Sequence, residues 1–193
     1  MKVFQALPAI AITLLISSTY SHASDERIPI DYLNNYPSEL QAEFDELKEM
    51  CESAQYGDAV DLPLSVQQGF ITRSDVTGDG LDDYIVHTGK LACEYGASIW
   101  GNFPSFNIYQ GMRNNDATLI YSSYSFNSDE EIYPRVVSNG KGFFDIQYIG
   151  AGGDCGQEGN YSFAEMKACE ITERWNKDTQ DMDVISAKVL SYK

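Results

Sequence analysis

The chain is short of positive charge. Thirteen Lys and Arg stand against 29 Asp and Glu, a formal net charge of −16. Such a surface repels nucleic acid and anionic lipid, and it attracts divalent cations or a basic protein. Histidine is scarcer still, with two residues, His22 and His87. The four cysteines lack paired short spacing, which argues against a zinc site. No Ser-x-x-Lys or Gly-x-Ser-x-Gly motif supplies a nucleophile. No internal repeat or low-complexity tract is present. Beyond the first 16 residues no apolar run is long enough to cross a bilayer as a helix. These absences exclude nucleic-acid binding, membrane insertion and the familiar hydrolase machineries as first expectations. Oligomeric state is left open.

The N-terminus explains the compartment expected. Lys2 precedes an apolar run from Val3 to Ile16 that contains Pro8, and Ser21-His22-Ala23 is a small-x-small cleavage site. This is the pattern of a secretory signal peptide cut after Ala23. No cysteine follows the cut to carry a lipid, so periplasmic or extracellular localisation is expected. The remaining 193 − 23 = 170 residues form one secreted domain by length, and losing Lys2 takes the formal charge to −17. Cys51, Cys93, Cys155 and Cys169 all lie in this part, and an even count in an exported chain implies two disulfides. Three pairings are possible, and Cys51–Cys93 with Cys155–Cys169 is the one favoured. The second bond would close a loop of about 15 residues, worth about 3 kcal/mol in the chain-entropy model. With these thiols oxidised, cysteine catalysis is not expected.

The densest chemistry lies at Asp75-Val-Thr-Gly-Asp-Gly-Leu-Asp-Asp83. Counting from Asp75, the third position is Thr77, the fifth Asp79, the seventh the carbonyl of Leu81 and the ninth Asp83. Gly80 falls sixth, where an EF-hand loop makes its sharp turn. Alternating hard oxygens around a tight turn suit Ca2+. The closing Glu of an EF-hand is absent, because Val86 occupies the twelfth position. Strand-like sequence flanks the loop on both sides. The expectation is a strand-loop-strand calcium site of low affinity, on the order of 0.1–1 mM as in extracellular modules. The competing reading is a β-turn in which Asp and Gly shape only the backbone.

Pro37 opens a helical pattern in which Leu40, Phe44, Leu47, Cys51 and Ala54 recur on one face, with Glu39, Glu43, Asp45, Glu46 and Glu49 expected on the other. Residues Ser24 to Asn35 are expected to be loosely held. Short strands follow, at Val66–Thr72, Tyr84–Thr88, Ala97–Trp100, Ser105–Tyr109, Thr118–Phe126, Ile132–Val137, Phe143–Ile149, Ala168–Trp175 and Val184–Tyr192. Asn139-Gly140-Lys141-Gly142 marks a hairpin, as does Asn176 to Asp181. Pro134 places its strand at a sheet edge. The fold class expected is α+β, mostly β: a twisted antiparallel sheet or small barrel with one N-terminal helix.

The run Gly69-Phe-Ile-Thr-Arg-Ser-Asp75 to Asp83-Tyr-Ile-Val with Cys93 beyond, and Cys155 to Cys169 with Arg174-Trp175-Asn176, resembles a group of exported proteobacterial proteins. The loop itself is similar to those of FG-GAP and dockerin-type modules. Thr77 stands where the group has Asn, and Trp100-Gly-Asn-Phe-Pro lacks the cysteines seen there in relatives. The resemblance implies a fold and a calcium ion, and no activity.

Other candidates are weaker. Asp129-Glu130-Glu131 reads as a solvated turn and not as an acid/base pair flanking a sugar. The glycine-rich Gly150 to Gly159 lacks the Lys and helix of a phosphate loop. The many tyrosines are expected mainly to fill sheet faces. The functional expectation is a non-catalytic, calcium-stabilised binding or structural module. The alternative is a periplasmic inhibitor or immunity protein acting on a basic cell-wall hydrolase.

Overall fold

A computed structural model describes residues 28–30, 33–53, 64–93, 104–126 and 134–190. The expected signal peptide, Ala54, the strand at Ala97–Trp100, the segment Trp100 to Phe103 and the acidic run Asp129–Glu131 lie outside the described residues. The observed elements are β1 (Ile28–Pro29), α1 (Ser38–Ser53), β2 (Ser65–Val66), β3 (Ile71–Ser74), β4 (Asp83–His87), β5 (Leu91–Ala92), β6 (Ser105–Met112), β7 (Asp116–Tyr124), β8 (Arg135–Ser138), β9 (Phe144–Ala151), β10 (Ala168–Asn176) and β11 (Asp181–Val189). The fold is α+β and mostly β, as the sequence implies.

Among the described residues the strands form three antiparallel sheets, ordered β1-β2-β5, β3-β4-β6-β7 and β11-β10-β9-β8, and none closes into a barrel. The two four-stranded sheets pack together over a core of Val76, Ile85, Phe106 and Ile108 on one side and Ile146, Tyr148, Cys169, Ile171 and Met182 on the other. On the opposite face of the β3-β4-β6-β7 sheet, Leu40, Phe44, Leu47 and Cys51 of α1 pack with Phe70, Tyr84, Val86 and Tyr109. This middle sheet is therefore covered on both sides, and every residue of β4 is buried. A strand buried on both faces reads as a continuous apolar run. Tyr84-Ile-Val fits that description.

Two features differ from the sequence expectation. The strand expected at Val66–Thr72 is two strands in different sheets, separated by a turn at Gly69, whose φ is +87°. Ile28–Pro29, in a segment expected to be loose, pairs with Ser65–Val66, and Ile30 is buried. The hairpins fall where glycine and asparagine place them. Gly140 and Gly142 have positive φ between β8 and β9, and Asn114 and Asn115 do so between β6 and β7. Asparagine enters the left-handed region more readily than most side chains. The strand after Pro134 lies at a sheet edge. Both expected disulfides are present: Cys51–Cys93 ties α1 to the end of β5, and Cys155–Cys169 ties the glycine-rich turn to β10. No helix among the described residues is long and apolar enough to cross a membrane.

A polar contact links the two large sheets through their core. The Tyr121 hydroxyl of β7 donates to Glu173 Oε2 of β10 at 2.7 Å, and Tyr148 of β9 donates to Oε1 at 2.9 Å. Phe106 packs beside both tyrosines, with ring centroids 6.2 and 5.2 Å away. Burial pushes the Glu173 carboxyl above its ordinary value, against the pull of the two hydroxyls. The folded state therefore holds this proton more tightly than the unfolded chain. Stability gained through Glu173 grows as pH falls from neutral through the raised value, and levels off near the ordinary carboxyl value of 4.5. Asp145 acts in the opposite sense at lower pH, because the Arg174 guanidinium holds its carboxyl down. Denaturant titration between neutral pH and the ordinary carboxyl value should show a steeper gain on acidification for the wild type than for Glu173→Gln. Parallel curves would show that Glu173 contributes nothing to the linkage.

Candidate functional site

The Asp75–Asp83 loop joins β3 to β4, as the sequence implies, and its carboxylates organise the backbone. Asp75 accepts hydrogen bonds from the N–H groups of Asp79 and Gly80, each at 3.0 Å. Asp79 Oδ1 accepts from Leu81 N–H at 2.8 Å, and its Oδ2 accepts from Gln110 Nε2 at 2.9 Å. Asp83 is fully buried. Its Oδ2 accepts from the N–H groups of Val76 and Thr77, both at 2.8 Å, and its Oδ1 accepts from Gly111 N–H at 3.0 Å. Burial pushes the Asp83 carboxyl up, and the Thr77 and Gly111 donors pull it down.

The loop is clamped from two sides by residues outside the motif. A side chain on Gly111 of β6 would lie 1.9 Å from the Asp82 carbonyl oxygen, so only glycine allows this approach. From the other sheet, Lys177 Nζ donates to the Gly78 carbonyl at 2.7 Å. Gln110, Gly111 and Lys177 carry no local signal in the sequence. They meet the loop only because the strands pair.

As a calcium site the loop offers a partial fit. Thr77 Oγ1 is buried beside the Asp83 carboxylate, whose pKa it helps to lower, and a carboxylate oxygen that accepts one N–H keeps a further lone pair. Asp75, Thr77, Asp79 and the Leu81 carbonyl are the donors a cation would use. Asp83 is engaged on three backbone N–H groups. Among the described residues no three acidic, histidine or cysteine side chains gather as a metal cage.

A second site lies between α1 and the β6-β7 side of the middle sheet. Here a cavity of about 370 Å3 opens, within the range of about 300–1,000 Å3 common for ligand pockets. One wall is Glu39, Glu43, Glu46 and Met50 of α1, spaced to share a helix face. The opposite wall includes Ser105, Asn107, Tyr109 and Leu119. Glu43 was expected on the solvent face, but it is only 9% exposed. The helix stripe one residue before Leu40, Phe44, Leu47 and Cys51 is Glu39, Glu43, Glu46 and Met50, and it rolls partly under α1. Asn107 Nδ2 donates to Glu43 Oε1 at 2.6 Å, and Ser122 Oγ fixes Asn107 by donating to its Oδ1 at 2.7 Å. Glu43 Oε2 is itself buried, and the Tyr109 hydroxyl lies beside the carboxylate. Burial pushes this carboxyl up, and hydrogen bonding from Tyr109 and Asn107 pulls it part of the way back.

His87 does not join either site. Its ring is buried, both nitrogens lack hydrogen-bond partners, and burial lowers its pKa to about 3. It is neutral at physiological pH. The tyrosines Tyr84, Tyr109 and Tyr148 fill the cores, while Tyr124 is exposed. No protein-family model, no curated protein and no solved structure matches the chain.

Replacing Asp83 by Ala strips three buried N–H groups of their acceptor, and unsatisfied buried donors cost about 1–3 kcal/mol each. Asp83→Ala should lose on the order of 3 kcal/mol or more of unfolding free energy in EDTA-containing buffer. Equal stability of variant and wild type in EDTA would show that the carboxylate does not hold the loop.

Proposed function

We propose that the chain is a non-catalytic binding module of the periplasm or extracellular space, with a weakly held Ca2+ on the Asp75–Asp83 loop. The observation that carries this reading is the acidic cleft under α1, walled by Glu39, Glu43 and Glu46 and by the exposed side chains of Met50 and Leu119. The two disulfides support an oxidising compartment, and the N-terminal signal pattern supports export. The FG-GAP-like spacing and the remaining lone pairs of Asp75 and Asp79 support the ion, which adds to a loop already bonded through its own backbone.

The arrangement favours binding over hydrolysis. Among the described residues every carboxylate of the cleft comes from α1, and the facing wall supplies hydroxyl, amide and phenol groups. Glycoside hydrolysis needs two carboxyl groups on opposite sides of the scissile bond. The same acidity favours a basic protein partner, and with it the second reading, an inhibitor or immunity protein against a basic cell-wall hydrolase.

Two outcomes test these readings. With a dissociation constant of about 0.1–1 mM, Ca2+ at ~10 mM should stabilise the fold by roughly 1.4–2.7 kcal/mol, a rise of about 3–10 °C in Tm over EDTA. Asp79→Ala should remove the response, and an absent shift in the wild type contradicts the ion. For the partner, capture of a basic periplasmic protein that is released by raised salt is expected. Capture only of acidic or neutral proteins, unaffected by salt, contradicts it.

A further inference from the structure

β11 is an outer strand of its sheet, and its apolar residues are uncovered. Cys169, Ile171 and Glu173 of β10 are buried between the two large sheets. Their cross-strand partners on β11 are Val189, Ala187 and Val184, which point to the same face. All three are exposed, Val184 and Val189 by 60% and 53%. Beyond the buried Met182, the inner face of β11 therefore overhangs the middle sheet. The opposite edge of the same sheet is β8, which has four residues and follows Pro134. Short strands and proline blunt an edge against pairing. β11 runs for nine residues without a proline.

The backbone is open at the same residues. Leu190 N–H donates to the Ala168 carbonyl at 2.9 Å. Bonded and open positions alternate along an antiparallel strand, so Val189 and Ala187 direct their N–H and C=O groups away from β10. Ile185 is an extra residue at a bulge, and it moves the open positions below it to Val184 and Met182. Met182 N–H bonds to Asp181 Oδ1 at 2.8 Å, in keeping with that shift. These open positions are their own antiparallel complement. With Val184 set opposite Ala187 of a second copy, Met182 falls opposite Val189 and Asp183 opposite Lys188. Each relation occurs twice about a two-fold axis, and the two bulges coincide. Asn176 occupies Asp183 Oδ2 and leaves Oδ1 for the lysine. Glu170, opposite Lys188 on β10, already pairs with Arg135. We propose that two copies of the chain pair antiparallel through β11, joining their outer sheets into one continuous sheet. Val184 and Ala187 exchange backbone hydrogen bonds with Ala187 and Val184 of the second copy. The two Asp183–Lys188 pairs fix the register, and the exposed valines cover one another.

The test is sedimentation equilibrium of the mature protein with both disulfides intact. Each copy is strongly acidic, so the measurement is made at about 0.15 M salt, where the Debye length is about 8 Å. A strand edge of this length buries less than about 1,200 Å2, so a weak dimer is expected, with Kd on the order of 10–100 µM. Lys188→Glu alone and Asp183→Lys alone each set like charges opposite one another twice, and each should weaken the dimer about tenfold or more. An equal mixture of the two variants restores both opposite-charge pairs and should recover dimerisation, which a misfolded variant would not do. Amide exchange at Val184, Ala187 and Val189 should slow as protein concentration rises through Kd. A monomer at ~1 mM, assembly beyond a dimer, no recovery in the mixture, or exchange at these amides that ignores concentration overturns the inference.

Discussion

Asp83 is the constraint on which the rest of the molecule depends. It is the first residue of β4, the strand covered by α1 on one face and by the second sheet on the other. Its two oxygens gather N–H groups from the loop before it and from β6 beside it. One side chain therefore sets the path of the loop, the start of the central strand and the contact of that strand's end with its neighbour. Removing such an acceptor leaves donors that water cannot reach, and that penalty exceeds the modest net worth of ordinary hydrogen bonds. The absent side chain of Gly111 is the steric counterpart, because a methyl group there would collide with the Asp82 carbonyl.

Three of the four buried carboxylates among the described residues mark three levels of the structure. Asp83 is bonded to three backbone donors and fixes the middle sheet. Glu173 is bonded to two tyrosine hydroxyls and joins the middle sheet to the second one. Glu43 is bonded to one amide, with the Tyr109 hydroxyl beside its carboxylate, and sits between the middle sheet and α1. The first two complete their hydrogen bonding within the fold. The third lines the cavity under α1. The proposed binding function is placed on that face.

Much of the architecture was legible because local chemistry agrees with tertiary packing. The helix follows from the spacing of Leu40, Phe44, Leu47 and Cys51, and the strands from alternation and from Gly and Asn at the hairpins. The disulfide pairing followed from placing Cys51 on the apolar stripe and Cys155 in a glycine-rich turn. The split of Val66–Thr72 was hidden because its residues suit a strand throughout, and only the turn at Gly69 redirects the chain. The loop motif was legible as a cluster of carboxylates. Its partners Gln110, Gly111 and Lys177 were not, since they depend on strand pairing and on how the hairpin of the second sheet packs. Glu43 was misplaced for a related reason. A helical stripe beside the apolar one reads as solvent-facing until a second layer covers it, and β6-β7 does so here.

The central claim is that the Asp83 carboxylate holds the loop and the central strand together without help from an ion. Amide hydrogen exchange at Val76, Thr77 and Gly111 in calcium-free buffer tests this most directly. The account predicts slow exchange at all three, comparable to the core of β4, with Ca2+ adding little at these positions. Fast exchange in EDTA, with protection appearing only when Ca2+ is added, would contradict it.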